Sequence, residues 1–224
     1  MRKLICILIV SVSLTAYAQV KEIRPVLIKP LYLSQAEYDS LTDADKDEYG
    51  ESIKPYYWYT FDGENCSWYC SFHFDEFKIT ASSYLPSEGY VNYIPDNALD
   101  LNYKKVWAEG VDGDGIGEYL IYHLGEMGGE YYNISQIIVA SGYVKDEELW
   151  KNNGRVKKLK VYIDNKPFAI LLLEDIRSEQ HFNVEPIFLN KKKQIKFEIL
   201  EVYPGEKYSD TVISEIYFDG GGDH

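Results

Sequence analysis

The stretch Val156-Lys-Lys-Leu-Lys-Val-Tyr-Ile-Asp-Asn-Lys-Pro-Phe-Ala-Ile-Leu-Leu-Leu173 contains two runs of strand-forming residues separated by a turn. The first run, residues 156–163, and the second, residues 168–173, are rich in β-branched, aromatic and aliphatic side chains, which favour extended backbone. Asp164-Asn-Lys166 separates them, and Asp and Asn tolerate the positive φ angles of tight turns. The stretch therefore predicts a β-hairpin.

Further strands are predicted on both sides of this hairpin, because apolar residues recur there with a period of two. The predicted segments are residues 77–81, 119–124, 134–141, 195–199 and 213–218. No periodic pattern long enough for a helix of about ten residues follows Phe77. About eight short strands without long helices predict an all-β sandwich or jelly roll.

Length and charge exclude several classes of protein. A chain of 224 residues can form one ordinary domain, and 46% hydrophobic with 26% charged residues is close to the globular average. Asp and Glu total 36 against 23 Lys and Arg, so the net charge is -13. This charge repels phosphate backbones, and we therefore predict no nucleic-acid partner.

The first 18 residues have the pattern of a secretory signal peptide. Arg2 and Lys3 precede an apolar run over residues 4–14, and Ala16-Tyr-Ala18 supplies a small-x-small cleavage pattern. The run is too short to span a bilayer, so no membrane insertion is predicted. We predict cleavage near Ala18-Gln19 and a secreted, periplasmic or cell-surface protein.

Residues 19–76 are predicted to form an N-terminal extension with short helices. Ser34-Gln-Ala-Glu37 is a capping-box pattern, and Thr42-Asp-Ala-Asp45 is a second helix start. The aromatic stretch Tyr56-Tyr-Trp-Tyr-Thr-Phe61 could be a strand, a buried plug or a surface that stacks on sugars. This extension is also a possible docking segment for a protein partner.

Cys66 and Cys70 are the two cysteines that remain after cleavage, since Cys6 lies in the signal peptide. An oxidising compartment favours a disulfide between them. Four positions along an extended strand separate the two Cα atoms too far, so a Cys66–Cys70 bridge requires a compact turn. Two free thiols are the alternative.

Short motifs along the C-terminal two-thirds of the chain carry a family resemblance. They are Ala81-Ser-Ser83, Asn97-Ala-Leu-Asp100, Val106-Trp-Ala-Glu-Gly110, Asp114-Gly-Ile-Gly-Glu118, Ser141-Gly-Tyr143, Lys151-Asn-Asn153, Arg155-Val-Lys-Lys158, Tyr203-Pro-Gly205, Tyr208-Ser-Asp-Thr211 and Ile213-Ser-Glu-Ile216. In this order and spacing they resemble the NAD glycohydrolase translocation, or NADase-type glycan-binding, F5/8 type C domain. The resemblance covers residues 77–220 and leaves a tail, residues 221–224.

The resemblance implies a discoidin-like, galactose-binding-like jelly-roll sandwich whose end loops bind carbohydrate. In the toxin that gives the family its name, this domain lies beside a separate catalytic domain. The residues left here outside the sandwich are too few for such a catalytic domain. The sequence also lacks the Gly-x-Ser-x-Gly, His-Glu-x-x-His and P-loop patterns. We therefore predict no enzymatic activity.

The segment between the predicted strands 134–141 and 156–163 carries candidate sugar ligands. Tyr143 offers a flat aromatic face, while Asn152, Asn153 and Arg155 offer amide and guanidinium groups for paired hydrogen bonds to hydroxyls. The alternative is a solvated basic edge. The basic residues there would also suit an acidic glycan.

The glycine-rich loop Glu109-Gly-Val-Asp-Gly-Asp-Gly-Ile-Gly-Glu118 has three interpretations. Glu109 or Asp112 could accept hydrogen bonds from sugar hydroxyls. Asp112, Asp114 and Glu118 could bind Ca²⁺, although Ile116 replaces a ligand of the EF-hand template. A purely structural turn is the third interpretation.

Asp100 occupies a position that the family resemblance associates with a structural turn, sometimes together with a Ca²⁺ ion. No other cofactor is predicted. The sequence as a whole thus predicts a secreted, non-catalytic glycan-binding sandwich. A protein-interaction or structural module of the cell envelope is the alternative, and a small glycoside hydrolase with paired carboxylates is a further one.

Overall fold

The computed structural model describes residues 20–30, 42, 78–125 and 132–221. The predictions for the signal peptide, the two N-terminal helices, the aromatic stretch and the Cys66–Cys70 turn lie outside these residues, as do residues 222–224 of the tail.

Strands dominate the described part of the chain, which confirms the predicted all-β class. Its one α-helix, α1 (Glu147–Asn152), is short, and a 3₁₀ turn covers Pro95–Ala98. The strands are β1 (Lys21–Ile23), β2 (Leu27–Pro30), β3 (Lys78–Ala81), β4 (Trp107–Ala108), β5 (Tyr119–Leu124), β6 (Asn133–Ser141), β7 (Gly154–Ile163), β8 (Lys166–Leu172), β9 (Ser178–Phe188), β10 (Lys193–Tyr203) and β11 (Thr211–Gly221).

The eleven strands of the described residues form one hydrogen-bonded sheet, which folds around a shared apolar core into the two layers of a sandwich. The first layer has the order β2-β9-β6-β11, with β4 beside β11, and the second has β8-β7-β10-β5-β3, with β1 beside β8. A short parallel pairing joins the layers where Thr211 and Val212 lie beside Gly154 and Arg155. Apolar side chains from both layers form one core.

Aromatic rings from both layers pack against one another in the core. The Tyr122 ring of β5 meets the Phe197 ring at 5.3 Å and the Phe218 ring at 5.4 Å, both edge to face. Phe218 belongs to the first layer and Phe197 to the second. Such edge-to-face contacts stabilise aromatic pairs beyond their buried area.

The hairpin predicted from residues 156–173 is confirmed. β7 and β8 pair antiparallel, and Ile163 lies opposite Lys166. Asp164 and Asn165 between them have φ angles of 49° and 66°, which is the backbone that a two-residue hairpin turn requires.

Residues 20–30, which we name the N-terminal strap, belong to the sandwich rather than to a separate extension. β1 pairs parallel with the edge strand β8 of the second layer, and β2 pairs antiparallel with the edge strand β9 of the first. Within the segment predicted as the N-terminal extension, residues 20–30 thus satisfy backbone groups that the strands β8 and β9 would otherwise leave free at the edges of the sheet. Among the described residues, no helix has the length and apolarity to cross a membrane.

Candidate binding site at the tyrosine-rich loop end

One end of the sandwich collects the long loops. The register of the strands places the ends of β3, β6 and β10 beside the starts of β5, β7 and β11. The long connecting segments at that end are residues 82–118, 142–153 and 204–210, and the shorter β8–β9 connection lies there too. We call these three segments together the loop end. Binding residues are commonly held on such loops by a rigid sandwich.

The loop end carries exposed tyrosines. Tyr90 is fully exposed, and Tyr84 and Tyr208 retain 51% and 42% of their accessible surface. Tyr93 and Tyr143 are half-buried. The apolar residues on which these last two pack are Val106, Ala108 and Val212. A small apolar cluster thus supports a surface on which several aromatic rings face solvent.

Local hydrogen bonds fix the positions of these rings. Glu88 and Val91 exchange backbone hydrogen bonds of 2.9 and 3.0 Å, and Gly89 has a φ of 61°, so Tyr90 lies at the tip of a tight turn. The Tyr143 hydroxyl donates to the Lys104 carbonyl at 3.0 Å.

Helix α1 and the β10–β11 loop hold Tyr208. The Tyr208 amide donates to the carbonyl of Asn152 at 2.8 Å. A Cβ atom added at Gly205 would lie 2.4 Å from the Tyr208 carbonyl oxygen, so only glycine allows this close approach.

Two of the tyrosine hydroxyls keep their protons over a wider pH range than usual. Burial, together with the charges of Glu88 and Asp210, raises the pKa of Tyr93. Burial and the neighbouring Asp146 raise the pKa of Tyr143. Both hydroxyls are therefore neutral groups that can donate or accept hydrogen bonds at neutral pH.

Glu109, a predicted sugar ligand, is fully buried. Its carboxylate accepts hydrogen bonds from the amide groups of Val111 at 2.9 Å and Thr211 at 3.1 Å. Burial raises its pKa, although these two hydrogen bonds oppose the shift. Gly115 packs directly against the side chain with a φ of 64°. Glu109 therefore holds the glycine-rich loop onto β11, and the structural interpretation fits it best.

The three acidic residues proposed as Ca²⁺ ligands in this loop do not converge. Glu118 accepts hydrogen bonds from the hydroxyls of Ser82, at 2.6 Å, and Ser83. Asp114 contributes its backbone carbonyl to the Thr211 hydroxyl at 2.8 Å, and Asp112 is exposed. Within residues 20–30, 42, 78–125 and 132–221, no three His, Cys, Asp or Glu side chains are grouped to hold a metal ion. Asp112 remains available to a ligand in solution.

Arg155 is also buried and engaged within the protein. Its guanidinium forms a two-pronged ion pair with Asp175, at 2.8 and 3.2 Å, and packs over the Trp150 ring at 4.6 Å. It donates further hydrogen bonds to three carbonyls, those of Trp150, Lys151 and Asn153. These contacts hold the 142–153 segment in place. They leave no exposed part of the Arg155 guanidinium to bind a sugar.

The two asparagines of the 142–153 segment differ in which of their groups form hydrogen bonds within the protein. The Asn153 side chain donates to the Leu149 carbonyl at 2.8 Å and so closes the C-terminus of α1. Asn152 is half-buried beside the 204–210 loop, and its carbonyl receives the Lys207 and Tyr208 amides. The Asn152 backbone thus lies next to that of Tyr208.

The carboxylate of Asp100 lies near that of Glu215, which is buried. The Asp100 carboxylate accepts from the Asn102 amide at 2.9 Å and pairs with the Lys105 ammonium at 2.6 Å. Glu215 of β11 is completely buried, and neither of its oxygens has a hydrogen bond of normal geometry. Burial, and then the charge of Asp100, raise the Glu215 pKa well above its usual value, and the nearby Leu101 and Asn102 amides oppose the shift only in part. A buried carboxylate of this kind is costly unless it is protonated or meets a cation.

Tyr208 belongs to one of the family motifs, but no sequence pattern predicts that Tyr84, Tyr90 and Tyr93 lie on the same surface. Only the fold brings them together with Tyr143. The available signal in the sequence was the presence of tyrosines outside the predicted strands, where they could be exposed. Exposed aromatic surface marks interaction sites.

The fold and the loop end define a β-sandwich module whose exposed aromatic residues are carried on end loops. The profile of the NAD glycohydrolase translocation F5/8 type C domain matches residues 68–219. The chain belongs to this family, which confirms the resemblance in the sequence.

Two solved structures from Clostridium perfringens share a limited likeness with this chain. CpGH89CBM32-5, in complex with GalNAc-β-1,3-galactose, is 16% identical with a TM-score of 0.48 over 65% of this chain and 96% of that chain. The CBM32-1 and CBM32-2 domains of ZmpB, in complex with GalNAc, are 14% identical with a TM-score of 0.47 over 65% of this chain and 33% of that chain. No curated protein matches the chain.

Proposed function

We propose that this protein is a non-catalytic glycan-binding module that recognises sugars at its loop end. The exposed tyrosines Tyr84, Tyr90 and Tyr208, held on a rigid sandwich, are the observation that carries the proposal. Membership of the F5/8 type C family supports it, because the family resemblance implies carbohydrate binding through end loops.

Recognition would combine stacking with hydrogen bonds. A tyrosine ring offers an apolar face to the C–H side of a pyranose ring, while its hydroxyl can bond a sugar hydroxyl. The exposed Asp112 carboxylate and the half-buried Asn152 amide are further polar groups of the loop end that could bond sugar hydroxyls. One such site binds weakly, and repeated glycans on a surface would strengthen attachment by avidity.

We also propose that the chain is exported by its first 18 residues and acts outside the cytoplasm. Extracellular glycans would then be its natural partners.

Substitution of the exposed tyrosines tests the proposal. On a glycan microarray, followed by calorimetry with the glycans that bind, Tyr90→Ala and Tyr208→Ala are each expected to weaken binding about tenfold or more, as loss of a central aromatic contact does. Their melting temperatures should stay close to wild type, because both rings face solvent.

Tyr162→Ala is the matched control for these variants, because Tyr162 lies on β7 on the outer face of the second layer. Its binding should equal that of wild type. Loss of binding in Tyr162→Ala with full binding in the two loop variants would move the site to the sheet. No binding by the wild-type chain to any glycan would favour the protein-interaction alternative.

We further propose that Ca²⁺ binds between Asp100 and Glu215, with carbonyls of the intervening loop completing its oxygen ligands. The full burial of the Glu215 carboxylate supports this proposal, although the Leu101 and Asn102 amides already contact it. The ion would supply positive charge to two close carboxylates and fasten the 99–105 loop to β11.

Calcium should therefore raise the melting temperature of wild-type protein relative to protein in chelator. The increase should disappear in Glu215→Gln and persist in Asp112→Asn, which probes the glycine-rich loop instead. An unchanged melting temperature in the wild type would contradict a calcium site at Glu215. Loss of the calcium effect in Asp112→Asn would place the ion in the glycine-rich loop.

A further inference from the structure

Acidic side chains outnumber basic ones at the loop end. Its three segments contain twelve Asp and Glu residues against five Lys and no Arg, which gives a net charge of -7. Lys105 pairs with Asp100 at 2.6 Å, and Lys151 pairs with Glu147 at 2.5 Å. The part of the molecule that carries the exposed tyrosines is therefore strongly negative.

The basic residues around β7 do not change this balance. Lys157, Lys158 and Lys160 belong to the strand rather than to the loop end, and Glu201 pairs with the first two at 3.2 and 2.6 Å. Arg155 is buried. The cations that would suit an acidic glycan are thus engaged within the protein or lie outside the loop end.

Carboxylates flank two of the tyrosine hydroxyls. Burial first, and then the charges of Glu88 and Asp210, raise the pKa of Tyr93, so both carboxylates act on this hydroxyl. Asp146 contributes in the same way, after burial, to the raised pKa of Tyr143. Among the described residues, neither Glu88 nor Asp210 forms an ion pair. Their negative charge is therefore available to a ligand.

One ammonium group of the chain itself lies on a tyrosine ring at this end. Lys207 Nζ is 4.8 Å from the centroid of the Tyr208 ring, and a hydrogen bond with Tyr208 raises the Lys207 pKa. The face of an aromatic ring attracts a cation through its quadrupole. This contact indicates that the exposed Tyr208 ring, in its acidic surroundings, accepts an ammonium group.

We propose that the loop end selects glycans by charge and prefers sugars with a free, protonated amino group to neutral sugars, and neutral sugars to acidic ones. The inference rests on the proposed function, since it names the class of ligand for the same site. An ammonium group on the sugar would lie over a tyrosine face with Glu88 or Asp210 nearby, and both contacts favour a cation. A carboxylate on the sugar would meet repulsion from the acidic loops.

Three charge forms of one sugar ring test the preference. Galactosamine, galactose and galacturonic acid, and then glucosamine, glucose and glucuronic acid, are titrated into ¹⁵N-labelled protein at about pH 6, where an amino group is protonated. Within a series that binds, the amino sugar should bind about fivefold more tightly than the neutral one, as one cation–π contact provides, and the acidic sugar about fivefold more weakly. Raising NaCl from about 0.05 M to about 1 M should reduce both ratios, because surface charges are then screened.

Charge-neutralising variants test whether the preference arises at the loop end. In Glu88→Gln/Asp210→Asn the affinity ratio of amino to neutral sugar should fall toward one. The matched control is Glu185→Gln/Asp219→Asn, which removes two exposed carboxylates from β9 and β11 and should keep the wild-type ratio. Lys207→Gln should raise the ratio, because it removes a cation that competes for the Tyr208 ring.

Equal affinities for the three charge forms of a sugar would overturn the charge preference and leave glycan binding itself standing. A wild-type ratio in Glu88→Gln/Asp210→Asn, or an equal fall in the control variant, would also overturn it. Absence of binding to every sugar, on the array as well as in the titrations, would instead overturn the proposed function and the preference together.

Discussion

Arg155→Ala is expected to destabilise the protein by about 2–3 kcal/mol, mainly because the backbone carbonyls that the buried guanidinium meets would lose their donor. The ion pair itself adds little, since the Asp175 side chain is 39% exposed. The substitution leaves Asp175 without its two-pronged partner and three carbonyls at the C-terminus of α1 without their donor. It also removes the cation that covers the Trp150 ring. Urea unfolding of the variant against wild type measures the loss.

Arg177→Ala is the matched control, since it removes the same side chain from a half-exposed position nearby. Its effect should stay within about 0.5 kcal/mol. Glycan binding by Arg155→Ala should decline only in proportion to the fraction of protein that is unfolded. Wild-type stability of Arg155→Ala together with complete loss of glycan binding would return Arg155 to the ligand site.

A chain that begins at residue 31 is expected to lose about 3–5 kcal/mol of stability and to aggregate. The N-terminal strap pairs three residues with β8 and four with β9, and a backbone hydrogen bond contributes roughly 0.5–1.5 kcal/mol net. Without the strap, both edge strands expose unpaired backbone groups, which are templates for association with other chains. Unfolding and light scattering measure the two effects.

A chain that begins at residue 19 is the control for this truncation, because it lacks only the predicted signal peptide. Its free energy of unfolding should equal that of the 224-residue chain, and it should remain monodisperse. Equal stability of the two truncated chains would show that the strap contributes nothing to the sandwich.

Local chemistry made part of the fold predictable. The β7–β8 turn could be read from Asp164-Asn165, because residues that adopt positive φ are rare outside such turns. β9 was missed, because its inward-facing residues include polar ones. Gln180 is fully buried, where it exchanges two hydrogen bonds of 2.8 Å with the Glu174 backbone. A strand of this kind does not alternate apolar with polar residues.

The candidate site was predictable only in part. Tyr143 lies at the loop end as expected, but Glu109 and Arg155 are buried by partners that sequence cannot reveal. Thr211 and Asp175 lie 102 and 20 positions away from them, respectively. Short polar motifs name residue types suited to sugars, whereas only the fold decides whether those groups face solvent or satisfy a neighbouring backbone.

The most direct test of glycan binding at the loop end is a map of amide shifts in ¹⁵N-labelled protein during titration with a glycan that binds on the array. We expect saturable changes confined to residues 84–93, 111–114, 143–153 and 205–210. Changes centred on the outer sheet face around Tyr162 and Lys196, with the loops unaffected, would contradict the assignment of the site.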